Sequence, residues 1–75
     1  MNNQQIDFEV PTLIDEMSET EYYVGVSING GNPQANSWKI KRIMKNGNVW
    51  STTYPSADQG FNFIWSDRYS YNYLM

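Results

Sequence analysis

The chain has 75 residues and a net charge of −3, and it contains neither cysteine nor histidine. This length corresponds to one domain. The absence of cysteine excludes disulfides and thiolate metal sites, and the absence of histidine removes the commonest general base and metal ligand. Because so small a core is usually stabilised by a further device, we expect oligomerisation or docking onto a larger body.

The charges are unevenly distributed along the chain. Residues 1–21 contain six acidic side chains and no basic one, whereas residues 22–75 contain five Lys or Arg side chains and two Asp. We therefore divide the sequence into an acidic N-terminal arm, residues 1–21, and a small β domain, residues 22–75. An acidic arm joined to a basic body is typical of an electrostatic docking segment, although a solubilising tail has the same composition.

The first part of the arm has the pattern of a β-strand. Ile6, Phe8 and Val10 alternate with Asp7 and Glu9, and this period of two indicates extended backbone that can add a strand to a neighbouring sheet. The arm residues that we predict to contact a partner are Ile6, Phe8, Val10, Glu16 and Glu19.

The second part of the arm has helical spacing. Leu13, Ile14 and Met17 follow Pro11 at intervals that place them on one face of a helix. The pattern predicts one short helix over residues 13–19, which at about two turns depends on tertiary contacts.

From Tyr22 onward the sequence is typical of β-structure. Residues 22–28 are rich in aromatic and β-branched side chains, and Gly25 within them indicates a bulge or a close backbone approach. Residues 29–37 are rich in Asn, Gly and Ser and predict a loop.

The strongest local signal is a β-hairpin. Asn46-Gly47 lies between two β-prone segments, 38–45 and 48–54, and this dipeptide is favoured in type I′ turns because both central residues need positive φ. With Asn46-Gly47 as the loop, Met44 pairs with Val49.

The alternation divides this hairpin into two faces. The face that we predict to be core contains Trp38, Ile40, Met44 and Val49. The other face mixes basic and aromatic side chains and has the character of a binding surface. Its residues are Lys39, Lys41, Ile43, Trp50 and Tyr54.

The C-terminal part is predicted to form two more strands. Residues 61–65 and 69–73 each alternate aromatic and polar side chains, and Ser66-Asp67-Arg68 between them has the composition of a turn. Two neighbouring strands with their aromatics on one side would form an aromatic patch. We therefore add Tyr69 and Tyr71 to the predicted partner-binding sheet face of Lys39, Lys41, Trp50 and Tyr54.

The residues needed for catalysis or metal binding are sparse. Asp58 and Asp67, the carboxylates of the β domain, both lie in turn-like sequence. The Ser and Thr hydroxyls have no histidine to activate them. The loop asparagines do not follow the spacing of a calcium loop. We therefore predict no enzyme activity, no metal and no cofactor.

Two other ligand classes remain open on sequence grounds. Lysines beside Trp50 and Tyr54 suit single-stranded nucleic acid, although the acidic net charge argues against phosphate binding. Exposed aromatic side chains near Asn and Gln also suit a carbohydrate. The same aromatics are equally needed to fill the core of so small a domain.

Three motifs together have a recognisable order. They are Tyr23-Val-Gly-Val26, Trp38-x-Ile40-x-x-Ile43, and Phe61-x-x-x-Trp65-Ser-Asp-Arg68-x-x-x-x-Tyr73. This order, which spans residues 22–73, resembles short virion structural proteins of tailed bacteriophages. The acidic arm has no counterpart in the resemblance.

The patterns and the resemblance lead to one overall expectation. The fold is mainly β, a small antiparallel sheet or sandwich of four to five strands with an extended acidic arm. The resemblance implies a non-enzymatic virion component, made in the host cytoplasm and present in many copies. It would decorate, cement or join other virion proteins, at the capsid surface or at a fibre attachment. The alternatives are a carbohydrate- or receptor-binding module of a fibre and a single-stranded nucleic-acid-binding barrel. No membrane segment is expected, because no run of about 18 apolar residues occurs.

Overall fold

The computed structural model describes residues 12–28 and 30–75, which form one open antiparallel sheet of five strands in the order β1-β2-β3-β4-β5. This architecture confirms the mainly β fold that the sequence predicts. The elements in chain order are β1 Thr12–Ser18, β2 Glu21–Ser27, β3 Trp38–Asn46, β4 Val49–Pro55, a 3₁₀ helix Trp65–Ser70, and β5 Tyr73–Leu74.

The acidic arm enters the sheet at Thr12, and the predicted helix over residues 13–19 is wrong. The segment is strand β1, which pairs with β2 from Thr12 opposite Val26 to Ser18 opposite Glu21. A two-turn helix is marginal by itself, whereas β2 offers hydrogen-bond partners along the whole segment. The arm residues before Thr12 lie outside the described residues.

The central hairpin forms as predicted, but its loop lies one residue further along. Asn46 pairs with Val49, so the loop is Gly47-Asn48 and the predicted pairing of Met44 with Val49 is wrong. Of the two loop residues, Gly47 alone has positive φ, at 65°, as a turn with glycine first requires. The register changes by two positions, and a change of two leaves every side chain on its predicted face.

The C-terminal segment does not form the two predicted strands. Phe63 makes an isolated bridge with Trp38, and the strand beyond it is replaced by the 3₁₀ helix. β5 consists of two residues that pair with Tyr54 and Pro55. From Phe63 onward the segment lays its aromatic side chains onto one face of the sheet, so the predicted two-stranded aromatic patch is wrong.

That face, which we call the covered face, carries the core. The buried apolar side chains are Tyr23, Trp38, Ile40 and Trp65, with Phe63, Tyr71 and Tyr73 packed around them. Trp38 and Ile40 are 0% exposed, which confirms them as core residues. Met44 and Val49 lie on the same side but are 36% and 65% exposed, so their prediction as core residues is wrong. The rings of Trp38 and Trp65 lie 5.9 Å apart between centroids.

Gly25 permits this packing. A Cβ at position 25 would lie 2.6 Å from Cζ3 of Trp65 and 3.1 Å from Cε3 of Trp38. These distances leave no room for a side chain, so the close backbone approach predicted for Gly25 is confirmed.

The loop before β3 is held against the 3₁₀ helix. The indole Nε1 of Trp38 donates a hydrogen bond to the Asn32 carbonyl at 2.9 Å. The backbone N–H of Ser66 donates to the Pro33 carbonyl at 2.9 Å. These bonds connect the start of β3 to the segment that covers it and fix the position of Trp65 above the sheet.

Candidate binding surface

The opposite side of the sheet, which we call the open face, combines apolar and basic side chains. In β3 it presents Lys39, Lys41, Ile43 and Lys45. Strand pairing places Val26, Val24 and Tyr22 of β2 beside the first three, and Trp50 of β4 beside Lys45. Ile14 of β1 pairs with Val24 and is 59% exposed. An exposed apolar area of this kind is typical of an interaction surface.

One end of the open face is aromatic. The rings of Tyr22 and Trp50 meet edge to face at 5.9 Å between centroids, and the Lys45 ammonium lies 5.8 Å from the centre of the Trp50 ring. Trp50 is nevertheless 47% exposed. A rigid, half-exposed tryptophan beside a cation is the kind of side chain that contributes most to protein interfaces.

The other end of the open face contains a groove of about 180 Å³, which we call the lysine groove. It is lined by Val24, Val26, Lys39, Lys41 and Phe61. Because three apolar side chains and two lysines line it, the groove is suited to a segment that is apolar on one side and acidic on the other. A second groove of about 200 Å³, on the same face, is lined by Ile14, Glu16 and Tyr22.

The structure brings together four of the predicted sheet-face residues. Lys39, Lys41, Trp50 and Tyr54 share the open face, as the alternation along β3 and β4 requires. Of the arm residues, Glu16 pairs with Tyr22 on this face, and Glu19 lies exposed in the turn between β1 and β2. Ile6, Phe8 and Val10 lie outside the described residues.

Tyr69 and Tyr71 are not part of this surface. The Tyr71 ring packs edge to face on Phe63 at 5.1 Å, and its hydroxyl accepts a hydrogen bond from the Ile64 backbone N–H at 2.9 Å. Tyr69 packs on Tyr23, a core residue. Both tyrosines therefore belong to the covered face, because the segment that carries them folds over the core instead of extending the sheet.

Arg68 joins β1 to the covering segment. Its Nε donates to Asp15 at 2.9 Å, and an Nη donates to the Trp65 carbonyl at 3.0 Å. The guanidinium lies 4.5 Å from the Trp65 ring centre and 4.6 Å from that of Tyr69. This arrangement, with hydrogen bonds to two partners and contacts with two aromatic rings, is that of a structural arginine.

Asp15 is the acidic member of the same cluster. It accepts hydrogen bonds from the Tyr69 hydroxyl and from Arg68. The Tyr69 bond, together with Arg68, holds the pKa of Asp15 below its ordinary value, against the opposing effect of partial desolvation. The same bond raises the pKa of Tyr69. The cluster joins the edge of the sheet to the 3₁₀ helix, and its polar groups are hydrogen-bonded to one another.

Five residues that line the open-face grooves were not predicted from the sequence to bind a partner. They are Tyr22, Val24, Val26, Phe61 and Ile14. The period of two along residues 22–28 already separates the first three from Tyr23, but it does not indicate which set is buried. Phe61 was predicted to share a face with Phe63 and Trp65, and instead it lines the groove on the other side.

The described residues contain neither a candidate metal site nor a membrane-spanning helix. Within residues 12–28 and 30–75, no group of three His, Cys, Asp or Glu side chains could hold a metal ion. No helix in this same part of the chain is long and apolar enough to cross a membrane. Neither a protein-family model, nor a curated protein, nor a solved structure matches this chain.

Proposed function

We propose that this protein is a non-enzymatic docking module that binds other proteins through its open face. The observation that supports the proposal is the difference between the two faces of the sheet. Among the described residues, the aromatic segment covers one face, whereas Ile14 and Trp50 on the other face are exposed and Tyr22 is half-buried, beside three lysines. Apolar area together with a surplus of positive charge suits an acidic protein surface.

The setting that we propose is the particle of a tailed bacteriophage. The proposal rests on the resemblance of residues 22–73 to short virion proteins and on the small size of the sheet. In that setting the protein is made in the host cytoplasm and incorporated in many copies. It decorates, cements or joins other virion proteins at the capsid surface or a fibre attachment, and its acidic arm contacts a neighbouring chain. Weak single contacts are sufficient there, because avidity multiplies them.

Purified particles of a phage that encodes the chain provide the test. We expect the chain to co-sediment with the particles at a fixed number of copies, and Trp50→Ala to reduce that number. Val49→Ala is the matched control, since Val49 is 65% exposed but points to the covered side of β4. If particles lack the chain, the phage setting is wrong. If both variants are incorporated equally well, the open face is not the docking surface.

Single-stranded nucleic acid is the second candidate, favoured by one observation. Lys45 and Trp50 form a cation–π pair on a sheet face that also carries Lys39 and Lys41, and bases stack on such rings. Titration of labelled oligonucleotides, followed by tryptophan fluorescence and repeated at high salt, tests it.

A carbohydrate stacked on Trp50 is tested by the same fluorescence titration with oligosaccharides.

A further inference from the structure

The lysine groove has a definite chemical requirement. Val24, Val26 and Phe61 supply apolar walls, and Lys39 and Lys41 supply two positive charges. The ion pairs found among the described residues are Arg42 with Glu21 and Arg68 with Asp15, and neither involves a groove lysine. A matching occupant is extended, apolar on one side and acidic.

The N-terminal sequence matches this requirement. Ile6, Phe8 and Val10 alternate with Asp7 and Glu9. In extended backbone the three apolar side chains project to one side. They can then lie against the apolar side chains that line the groove. Lysine side chains are long enough to rise beside such a segment and reach its carboxylates, while their methylene groups cover apolar surface.

Like charge excludes a simpler arrangement, in which two copies pack open face to open face. Each copy would bring Lys39, Lys41 and Lys45 against the same lysines of the other. Glu16 supplies one opposing charge on that face. Like charges in contact across an interface cost several kcal/mol, so an acidic segment is the better occupant.

We propose that the lysine groove binds residues 6–10 of a second copy of this chain. The inference deepens the proposed function, in which the acidic arm contacts a neighbouring chain, and rests on it. Thr12 lies opposite Val26, at the groove end of the sheet. Residue 10 precedes Pro11, and a residue before proline favours extended backbone. The described chain therefore begins at the groove end of the sheet.

A charge exchange between two full-length chains tests the proposal. The first chain carries Asp7→Lys with Glu9→Lys, and the second carries Lys39→Glu with Lys41→Glu. Sedimentation velocity at micromolar concentrations should show self-association of the native chain. Each variant alone should self-associate about a hundredfold more weakly, since like charges then meet. An equimolar mixture of the two should recover association, because each reversed segment meets an oppositely reversed groove.

Val49→Glu is the matched control, because Val49 is 65% exposed, lies on the covered side of β4 and is outside the groove. It should associate within about threefold of the native chain, as surface changes usually do. Near-ultraviolet circular dichroism of the buried tryptophans verifies folding. Lys39→Gln with Lys41→Gln replaces the reversed groove if that variant does not fold, and it too should weaken association.

Three outcomes overturn the proposal. The first is a native chain that sediments as a monomer at every concentration. The second is a mixture that fails to recover the association that each variant has lost. The third is a chain with all four changes that regains native behaviour while the mixture does not, which would place residues 6–10 in the groove of their own chain. None of these results affects open-face docking of another protein, which is tested separately through Trp50.

Discussion

Arg68 shows how a single side chain can fasten a small fold. It connects Asp15 of β1 with the Trp65 carbonyl of the 3₁₀ helix, and it lies within 4.6 Å of the centres of two aromatic rings. These contacts join residues 53 positions apart in the sequence. The chain has no disulfide, and this planar, multiply bonded cation provides a connection between the sheet edge and the covering segment.

We expect Arg68→Lys to destabilise the protein by about 1–2 kcal/mol. Lysine keeps the charge but cannot pair with Asp15, donate to the Trp65 carbonyl and stack on the ring together. Urea unfolding measures the change. Arg42→Lys is the comparison, because Arg42 also forms an ion pair, with Glu21 at 2.7 Å. An equal loss in both variants would show that the stacking and the carbonyl bond contribute nothing.

Asp15 gives the fold a dependence on acid. Its folded-state pKa is depressed by the Tyr69 hydrogen bond and by Arg68. The corresponding stability is fully present above the ordinary value of 3.8 and is lost as the pH falls through the folded value. We expect Asp15→Asn to cost about 1 kcal/mol at neutral pH and to flatten the acid limb of the stability curve. An unchanged acid limb in urea melts below pH 4 would contradict this.

At the scale of elements, the β3–β4 turn shows how a local signal can be right in kind and shifted in place. Asn46-Gly47 is a strong hairpin dipeptide, yet Asn46 is the last residue of β3 and Gly47 begins the loop. Gly47 supplies the positive φ in either case. Pairing of β3 with β2 along its length, together with packing of Trp38 and Ile40, determines the register.

The observed loop predicts unequal effects of two neighbouring substitutions. Gly47→Ala should cost about 1–2 kcal/mol, because an L-residue is strained at positive φ. Asn46→Ala should change stability by less than about 0.5 kcal/mol, since residue 46 has ordinary strand geometry and is exposed. Thermal melts of both variants decide the matter. A larger loss from Asn46→Ala would support the register with Asn46-Gly47 as the loop.

The contact between β2 and the 3₁₀ helix is equally specific. Gly25→Ala should destabilise by about 1–3 kcal/mol, because its methyl group would overlap the Trp65 ring. Val24→Ala, one residue earlier on the open face, should cost less, since Val24 is half-exposed. Denaturant unfolding measures both, and a stable Gly25→Ala variant would mean that the Trp65 ring can move aside at little cost.

At the scale of the whole molecule, the described residues form two layers, a sheet and an aromatic segment that covers one of its faces. The sheet and the aromatic segment make a core of four buried apolar side chains. The second side of the sheet has no covering layer among the described elements, although apolar side chains lie on it. A domain of this size is marginal when its sheet is covered on one side, and binding that covers the other side adds stability by mass action.

We therefore expect the melting temperature to depend on protein concentration. A tenfold increase should raise Tm by about 3–6 °C if copies associate on folding. Differential scanning calorimetry over a concentration series measures it. The chain with Lys39→Glu and Lys41→Glu should show a constant Tm. A native Tm independent of concentration would indicate a self-sufficient monomer.

The sequence by itself determined the class of fold, the central strands and the two faces of the hairpin. Alternation over residues 22–28 and 38–54 is a local property, and a register change of two leaves it intact. For the same reason Lys39, Lys41, Trp50 and Tyr54 were grouped correctly on one face. Trp38 and Ile40 were assigned to the core for that reason too.

The tertiary structure alone decided where the two ends of the described chain lie. Leu13, Ile14 and Met17 fit a helix and a strand equally well, and the free edge of β2 selected the strand. Aromatic alternation over residues 61–73 is compatible with two further strands. Instead, Trp65 packs against Gly25 and Trp38 on the covered face, and the segment from Trp65 to Ser70 forms a 3₁₀ helix. Such outcomes depend on contacts between residues far apart in sequence, which no local pattern contains.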